Sequence, residues 1–134
     1  NEGALKMPPL IYNLFLVMFG AAFGGGTRYL FTLIESKMST PIQISTLIVN
    51  IVGGLLVGIL AGYLLQKPDQ SIRLLLIVGF CGGLTTFSSF SLETMQLLQN
   101  REYLNSLLLI FLHFFGAVSA TFLGFYLINK FYGH

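Results

Sequence analysis

The run Ser45-Thr46-Leu47-Ile48-Val49-Asn50-Ile51-Val52-Gly53-Gly54-Leu55-Leu56-Val57-Gly58-Ile59-Leu60-Ala61-Gly62-Tyr63-Leu64-Leu65 contains no charged residue. A membrane-spanning helix needs about 20 consecutive apolar residues, and this stretch supplies them. Asn50, Gly54, Gly58 and Gly62 recur every four positions, which places one amide and three glycines on a single helical face. Small residues at that spacing let two membrane helices approach closely, so the glycines read as packing. Asn50 reads differently, because an amide at membrane depth requires a partner.

The same pattern recurs three times along the chain. Upstream, across a connector from Glu35 to Gln43 that carries Lys37 and Pro41, an apolar segment runs from Leu10 to Leu33. Gly24, Gly25, Gly26 and Arg28 interrupt it, and Gly20 with Gly24 makes a short small-residue stripe. It exceeds the apolar core of a secretory signal, and the stretch before it is weakly basic, with Lys6 beside Glu2. It reads as a retained span. Downstream, Gln66-Lys67-Pro68-Asp69-Gln70 is built to stop a helix. A third segment covers residues 72–98, Asn100-Arg101-Glu102 connects, and a fourth covers 104–129 with the stripe Gly116, Ala120, Gly124. The expectation is an all-α membrane protein, residues 1–134 forming a single domain of four transmembrane helices.

Composition agrees. Of the 134 residues, 54% are hydrophobic and only 9% charged, against about 25% charged in soluble domains. So little charge cannot cover a water-facing surface, and lipid becomes the solvent. Four spans consume about 80 residues, which leaves no room for a separate soluble catalytic domain. A net charge of +2 is too small to imply a nucleic-acid partner. Cys81 is the single cysteine, so no disulfide forms within the chain, and its apolar neighbours make it a buried thiol.

The third segment departs from the others. It is longer than one straight span requires, and Cys81-Gly82-Gly83-Leu84-Thr85-Thr86-Phe87-Ser88-Ser89-Phe90-Ser91 sits near its middle. Paired glycines weaken a helix, and hydroxyl side chains compete for its backbone hydrogen bonds. Irregular backbone at this depth is tolerated only inside protein or beside a water-filled cavity. Two readings follow: a kink packed against neighbours, or a broken helix whose freed peptide groups bind ions.

Charge orients the chain weakly. With four spans, Lys6, Lys67, Arg73 and Lys130 share one side, and Lys37 with Arg101 the other, where Arg28 can be added. Either one orientation prevails, or the chain inserts both ways and pairs as an antiparallel homodimer.

An enzyme would need a nucleophile–base pair, a metal cluster or paired carboxylates. None is visible. His113 stands alone in the fourth segment and reads as a packing or hydrogen-bonding residue, His134 is terminal, and Glu93, just after the hydroxyl-rich stretch, either helps close the helix restart there or faces a vestibule. The polar groups within the spans are instead neutral or donors: Arg28, Asn50, Thr85, Thr86, Ser88, Ser89, Ser91, Ser119 and Thr121. Amides and hydroxyls can donate to an anion, and Arg28 adds positive potential. Phe87 and Phe90 lie three apart on one helical face, and phenyl edges carry partial positive charge. Together these favour a pathway for a small anion.

The run Gly79-Phe80-Cys81-Gly82-Gly83-Leu84-Thr85-Thr86-Phe87-Ser88-Ser89-Phe90-Ser91-Leu92-Glu93 closely resembles the signature of the fluoride channel family (Fluc, also called CrcB). Gly26-Thr27-Arg28-Tyr29 and Val49-Asn50-Ile51-Val52-Gly53-Gly54 match further pieces in order, so the resemblance extends over essentially the whole chain. It implies an antiparallel, dual-topology homodimer in the plasma (inner) membrane, with membrane lipid around it. Such a dimer carries two fluoride pores and a central structural sodium ion. By this resemblance Gly82 and Thr85 offer backbone carbonyls to the sodium, and Phe87 and Phe90 are the pore phenylalanines. Asn50 is the pore asparagine, Arg28 stands near a vestibule, and Ser88 belongs to the fluoride pathway. Thr121 is the outer hydroxyl of a polar track whose usual serine falls at Ala117 here. The rival of similar size is a small multidrug-type four-helix exporter, which uses a glutamate within its first helix. Leu10 to Leu33 contains no acid.

Overall fold

The computed structural model describes residues 8–40 and 42–132. Glu2, Lys6, Pro41 and His134, used above for the charge balance, the first connector and the tail, lie outside them. Among the described residues four helical spans are long and apolar enough to cross a membrane: Pro9–Glu35, Ile44–Gln66, Gln70–Gln99 and Tyr103–Tyr132. The chain is a multi-pass membrane protein. Each span runs one to three residues past the expected ends. Asp69 caps the third, its carboxylate accepting from Ile72 N–H at 3.1 Å.

The packing inverts that of a soluble domain. The buried set is dominated by glycines and polar residues, among them Gly20, Gly24, Gly53, Gly58, Thr46, Thr86, Glu93 and His113. Large apolar side chains point outward, with Phe131 82% and Leu104 79% exposed. Lipid tails satisfy those groups as well as a protein core would, so close approach of helices replaces hydrophobic collapse as the organising force. The second and fourth spans share the longest seam, and the first span packs on the first half of the third. A Cβ at Gly54 would lie 2.7 Å from the Ala117 carbonyl oxygen, and one at Gly58 would meet the Thr121 carbonyl. On the other seam a Cβ at Gly79 would lie 2.8 Å from the Val17 carbonyl. The glycine stripes are therefore contact faces between backbones.

The third span is not uniform. Residues Arg73–Cys81 wind as a wide π-helix, and a single turn, Gly82–Leu84, follows. Thr85 (ψ 155°) and Thr86 (φ −150°, ψ 113°) are extended, and a regular helix covers Phe87–Gln99. Thr86 starts that helix: its hydroxyl accepts from Ser89 N–H at 3.1 Å.

The second span begins without a cap of its own. Glu93 Oε1 accepts from Gln43 N–H at 2.6 Å, and the Glu35 carboxylate accepts from Ile44 N–H and the Ser45 hydroxyl. Carboxylates from two other spans thus occupy the positive end of this helix. Where the third span meets the fourth, Arg101 takes a left-handed conformation (φ 59°) and Glu102 N–H closes on Leu97 O at 2.8 Å. That turn usually employs glycine.

Candidate functional site

The extended Thr85–Thr86 pair opens the helix ladder opposite Asn50, and Asn50 fills the gap. Its Oδ1 accepts from Thr86 N–H at 2.7 Å, while its Nδ2 donates to Thr86 O at 3.1 Å. One side-chain amide thereby replaces the two backbone partners that Thr86 lacks. Nδ2 also lies 3.0 Å from His113 Nδ1 on the fourth span. Three spans are tied at one level by a single carboxamide.

Below this tie a cavity of about 440 Å³ opens between the second, third and fourth spans. Asn50, Thr85, Phe87, Phe90, His113 and Thr121 are on its wall. Phe87 and Phe90 face each other with ring centroids 5.5 Å apart and planes tilted by 56°. Phe90 in turn packs on the His113 imidazole at 4.6 Å. A second groove, about 640 Å³, shares Phe90 and Ile110 with the first and continues along Ser91, Thr94 and Leu98. Phe90 stands at the junction of the two. The cavity wall is mostly apolar, with a few amide, hydroxyl and imidazole groups. Such a wall can strip an ion of water yet offer it only a handful of contacts.

Of the residues singled out from sequence, Asn50, Thr85, Phe87, Phe90 and Thr121 line this one cavity. Thr121 spends its hydroxyl hydrogen on the Ala117 carbonyl at 3.0 Å. Ser88 is exposed, and its hydroxyl lies 3.1 Å from that of Thr86. Arg28 is placed elsewhere. Its Nε donates to Gly83 O at 3.1 Å, which pins the first span to the glycine turn. Gly82 is exposed on that turn, with open space where a Cβ would stand (nearest atom Ile77 O, 3.8 Å). The central position of His113 is missing from a reading by residue type, as are the structural duties of Thr86 and Glu93. Asn50 and His113 stand 63 residues apart, so no local spacing pairs them.

The family model described as "CrcB-like protein, Camphor Resistance (CrcB)" matches residues 15–125. The chain belongs to the CrcB family. Curated CrcB relatives agree along most of their length. One from Haemophilus influenzae, named "Fluoride-specific ion channel FluC", is 39% identical over 113 residues, 83% of this chain and 71% of the relative. One from Escherichia coli O1:K1, of the same name, is 36% identical over 122 residues, 90% of this chain and 97% of the relative. A third, from Francisella tularensis subsp. mediasiatica and again so named, is 37% identical over 125 residues, covering 89% and 96%. The matched CrcB region contains every cavity residue named above.

Proposed function

We propose that this chain is a fluoride-selective channel that passively exports fluoride from the cytoplasm across the bacterial plasma membrane. The observation that carries the reading is the cavity between three spans, walled by an amide, hydroxyls, an imidazole and a phenyl pair, in a chain whose relatives are named as fluoride-specific channels. Fluoride is compact and strongly hydrated, so a pathway must replace its water with small donors. It must also let the ion leave, and neutral donors on an apolar wall bind weakly enough for that. Phenyl edges extend the same positive lining where no hydrogen bond is available. The multidrug-exporter alternative lacks its acid, since residues 10–33 of the first span contain none.

The working unit of this proposal is an antiparallel homodimer with two pores, and the exposed groups support it. Ser88 and Ser91 are exposed in the middle reaches of the third span, and Phe87 is 78% exposed beside them. Hydroxyls facing lipid at that depth are costly, whereas a second copy would cover them. The third span then acts as a broken helix whose interruption at Thr85–Thr86 serves both the pathway and the dimer axis. A sodium ion fits the donor set of the turn: neutral carbonyl oxygens of Gly82 and Thr85, with the extended Thr85 turning its carbonyl out of the helix ladder. When bound it would supply a fixed positive charge there.

The test is ion efflux from liposomes carrying the purified protein. Fluoride release without chloride release is expected; well-folded protein that releases no fluoride would sink the proposal. Labelling of engineered cysteines from one side of intact cells should modify only part of the population at each connector, and complete labelling of a single face would reject dual topology.

A further inference from the structure

We propose that the notch where the second span hands over to the third is a phospholipid headgroup site, and that it selects phosphatidylethanolamine from the surrounding membrane. The notch has a volume of about 310 Å³ and is lined by Leu64, Pro68, Asp69, Gln70 and Arg73. It shares no residue with the cavity at Asn50. Its size falls at the lower end of the range for small-ligand pockets, about 300–1,000 Å³.

Its depth points to a lipid. The second span ends at Gln66 and the third starts at Gln70, so the notch stands where apolar helix gives way to polar connector. Leu64 is buried in its wall, and Leu65 next to it is 67% exposed, a surface for acyl chains. A basic pocket between helices at this level is the usual form of a headgroup site.

Its charges point to which lipid. Arg73 is exposed, and its guanidinium carries five donors in a planar fork that matches a phosphate. Asp69, four residues earlier, does not turn toward it. Asp69 is extended (φ −152°, ψ 109°) and directs Oδ1 onto Ile72 N–H at 3.1 Å, which leaves Oδ2 for a ligand. One guanidinium and one carboxylate thus line the same small space. A headgroup with a phosphate and, two carbons away, a primary ammonium answers both: phosphate on Arg73, ammonium on Asp69 Oδ2. Phosphatidylglycerol would bring its negative charge beside Asp69 with no cation to answer it. Phosphatidylcholine keeps the charge pattern, but its quaternary nitrogen has no hydrogen to donate to a carboxylate.

The excess charge of this end does not alter the choice. Among the described residues the end carries Lys67, Arg73 and Lys130 against Asp69. Lys67 Nζ stands 5.9 Å from the centre of the Tyr132 ring, and Lys130 is in the last turn of the fourth span. Neither lines the notch, and inside it the charges balance one to one.

Native mass spectrometry of the purified protein tests the proposal, with phosphatidylethanolamine, phosphatidylcholine and phosphatidylglycerol of identical acyl chains added in turn. Wild type is expected to bind phosphatidylethanolamine roughly tenfold more tightly than either other lipid, the worth of one charge-assisted hydrogen bond. Asp69→Asn keeps a side chain able to cap the helix and removes the charge, so the preference over phosphatidylcholine should vanish. Arg73→Gln should weaken phosphatidylethanolamine binding by roughly tenfold. Free O-phosphoethanolamine should compete poorly, because buried acyl chain supplies most of a lipid's hold. Equal binding of the three lipids, tighter binding of phosphatidylglycerol, or a free headgroup that binds as well as the lipid would overturn the proposal. So would an Asp69→Asn protein that keeps the preference, or an Arg73→Gln protein that binds like wild type. Should Arg73→Gln fail to assemble, the wild-type ranking and Asp69→Asn decide.

Discussion

The second and fourth spans meet in two different ways one helical turn apart. From Gly54 onward they touch backbone to backbone: Gly54 against Ala117, Gly58 against Thr121, Gly124 against Leu55. At Asn50 and His113 the same two helices are joined by one hydrogen bond, and the same amide holds the Thr86 backbone of the third span. The glycine seam works by shape and leaves no room for a side chain. The polar seam works by hydrogen-bond direction, and the cavity of about 440 Å³ runs from it along Gly54, Ala117 and Thr121 at the near end of the glycine seam. A membrane protein that must both hold together and conduct can divide those duties along a single helix pair. Close backbone contact sits at the glycines, and hydrogen-bond chemistry sits at the amide and imidazole.

The largest effect should come from filling the glycine seam. Gly58→Val drives its side chain into the Thr121 backbone, which cannot retreat as a side-chain tip would. Overpacking of this kind costs about 1–3 kcal/mol in soluble cores, and here it separates the helices that carry both seams. No monodisperse protein is expected on gel filtration in detergent. Well-assembled Gly58→Val protein would show that this seam is not the structural one.

Next comes the polar seam, where function should fail before assembly does. Asn50→Asp removes both donated hydrogens and sets a carboxylate against the Thr86 carbonyl and His113 Nδ1. Fluoride efflux should fall at least 100-fold, about 2.7 kcal/mol of barrier, while the protein still elutes as a single assembled species. Normal flux from this variant would make Asn50 as passive as the glycines.

The sequence made some of this division visible. The four spans are plain because charge is nearly absent within them, and the glycine stripes are plain because helical spacing is local. The cavity residues Asn50, Phe87, Phe90 and Thr121 could be gathered by resemblance, and they do share one wall. What stayed hidden depends on three-dimensional pairing. His113 gains its place from Asn50, 63 residues away, and Glu93 gains its partner from Gln43, 50 residues away. Arg28 shows the same limit. Resemblance sets it near a vestibule, and residue type does not reveal that its Nε donates to the Gly83 carbonyl, 55 residues away.

A smaller effect separates the clamp from the cap. Thr86→Val keeps the backbone groups that Asn50 holds and removes only the hydroxyl that starts the helix Phe87–Gln99. Losing such a cap costs about 1 kcal/mol. The expected result is a melting temperature lowered by a few degrees and flux reduced less than for Asn50→Asp. Thr86→Ser should restore both. If Thr86→Val abolishes flux as completely as Asn50→Asp, the hydroxyl belongs to the pathway and the polar seam extends one residue further.

The smallest effect is expected at Gly25, and its neighbour makes it informative. A Cβ at Gly24 would strike the Phe80 carbonyl oxygen and lie 2.7 Å from Leu84 N, at the glycine turn of the third span. A Cβ at Gly25 meets nothing within 4 Å. One residue along a helix turns the side chain by about 100°, from the seam to open surface. Gly24→Ala should therefore impair assembly, while Gly25→Ala should change the melting temperature by the equivalent of about 0.5 kcal/mol or less. Both are read by thermal unfolding in detergent alongside fluoride efflux. A damaging Gly25→Ala would mean that contacts within one chain do not account for this face. A second copy of the chain would then have to press against it, and the first span would carry two tight seams rather than one.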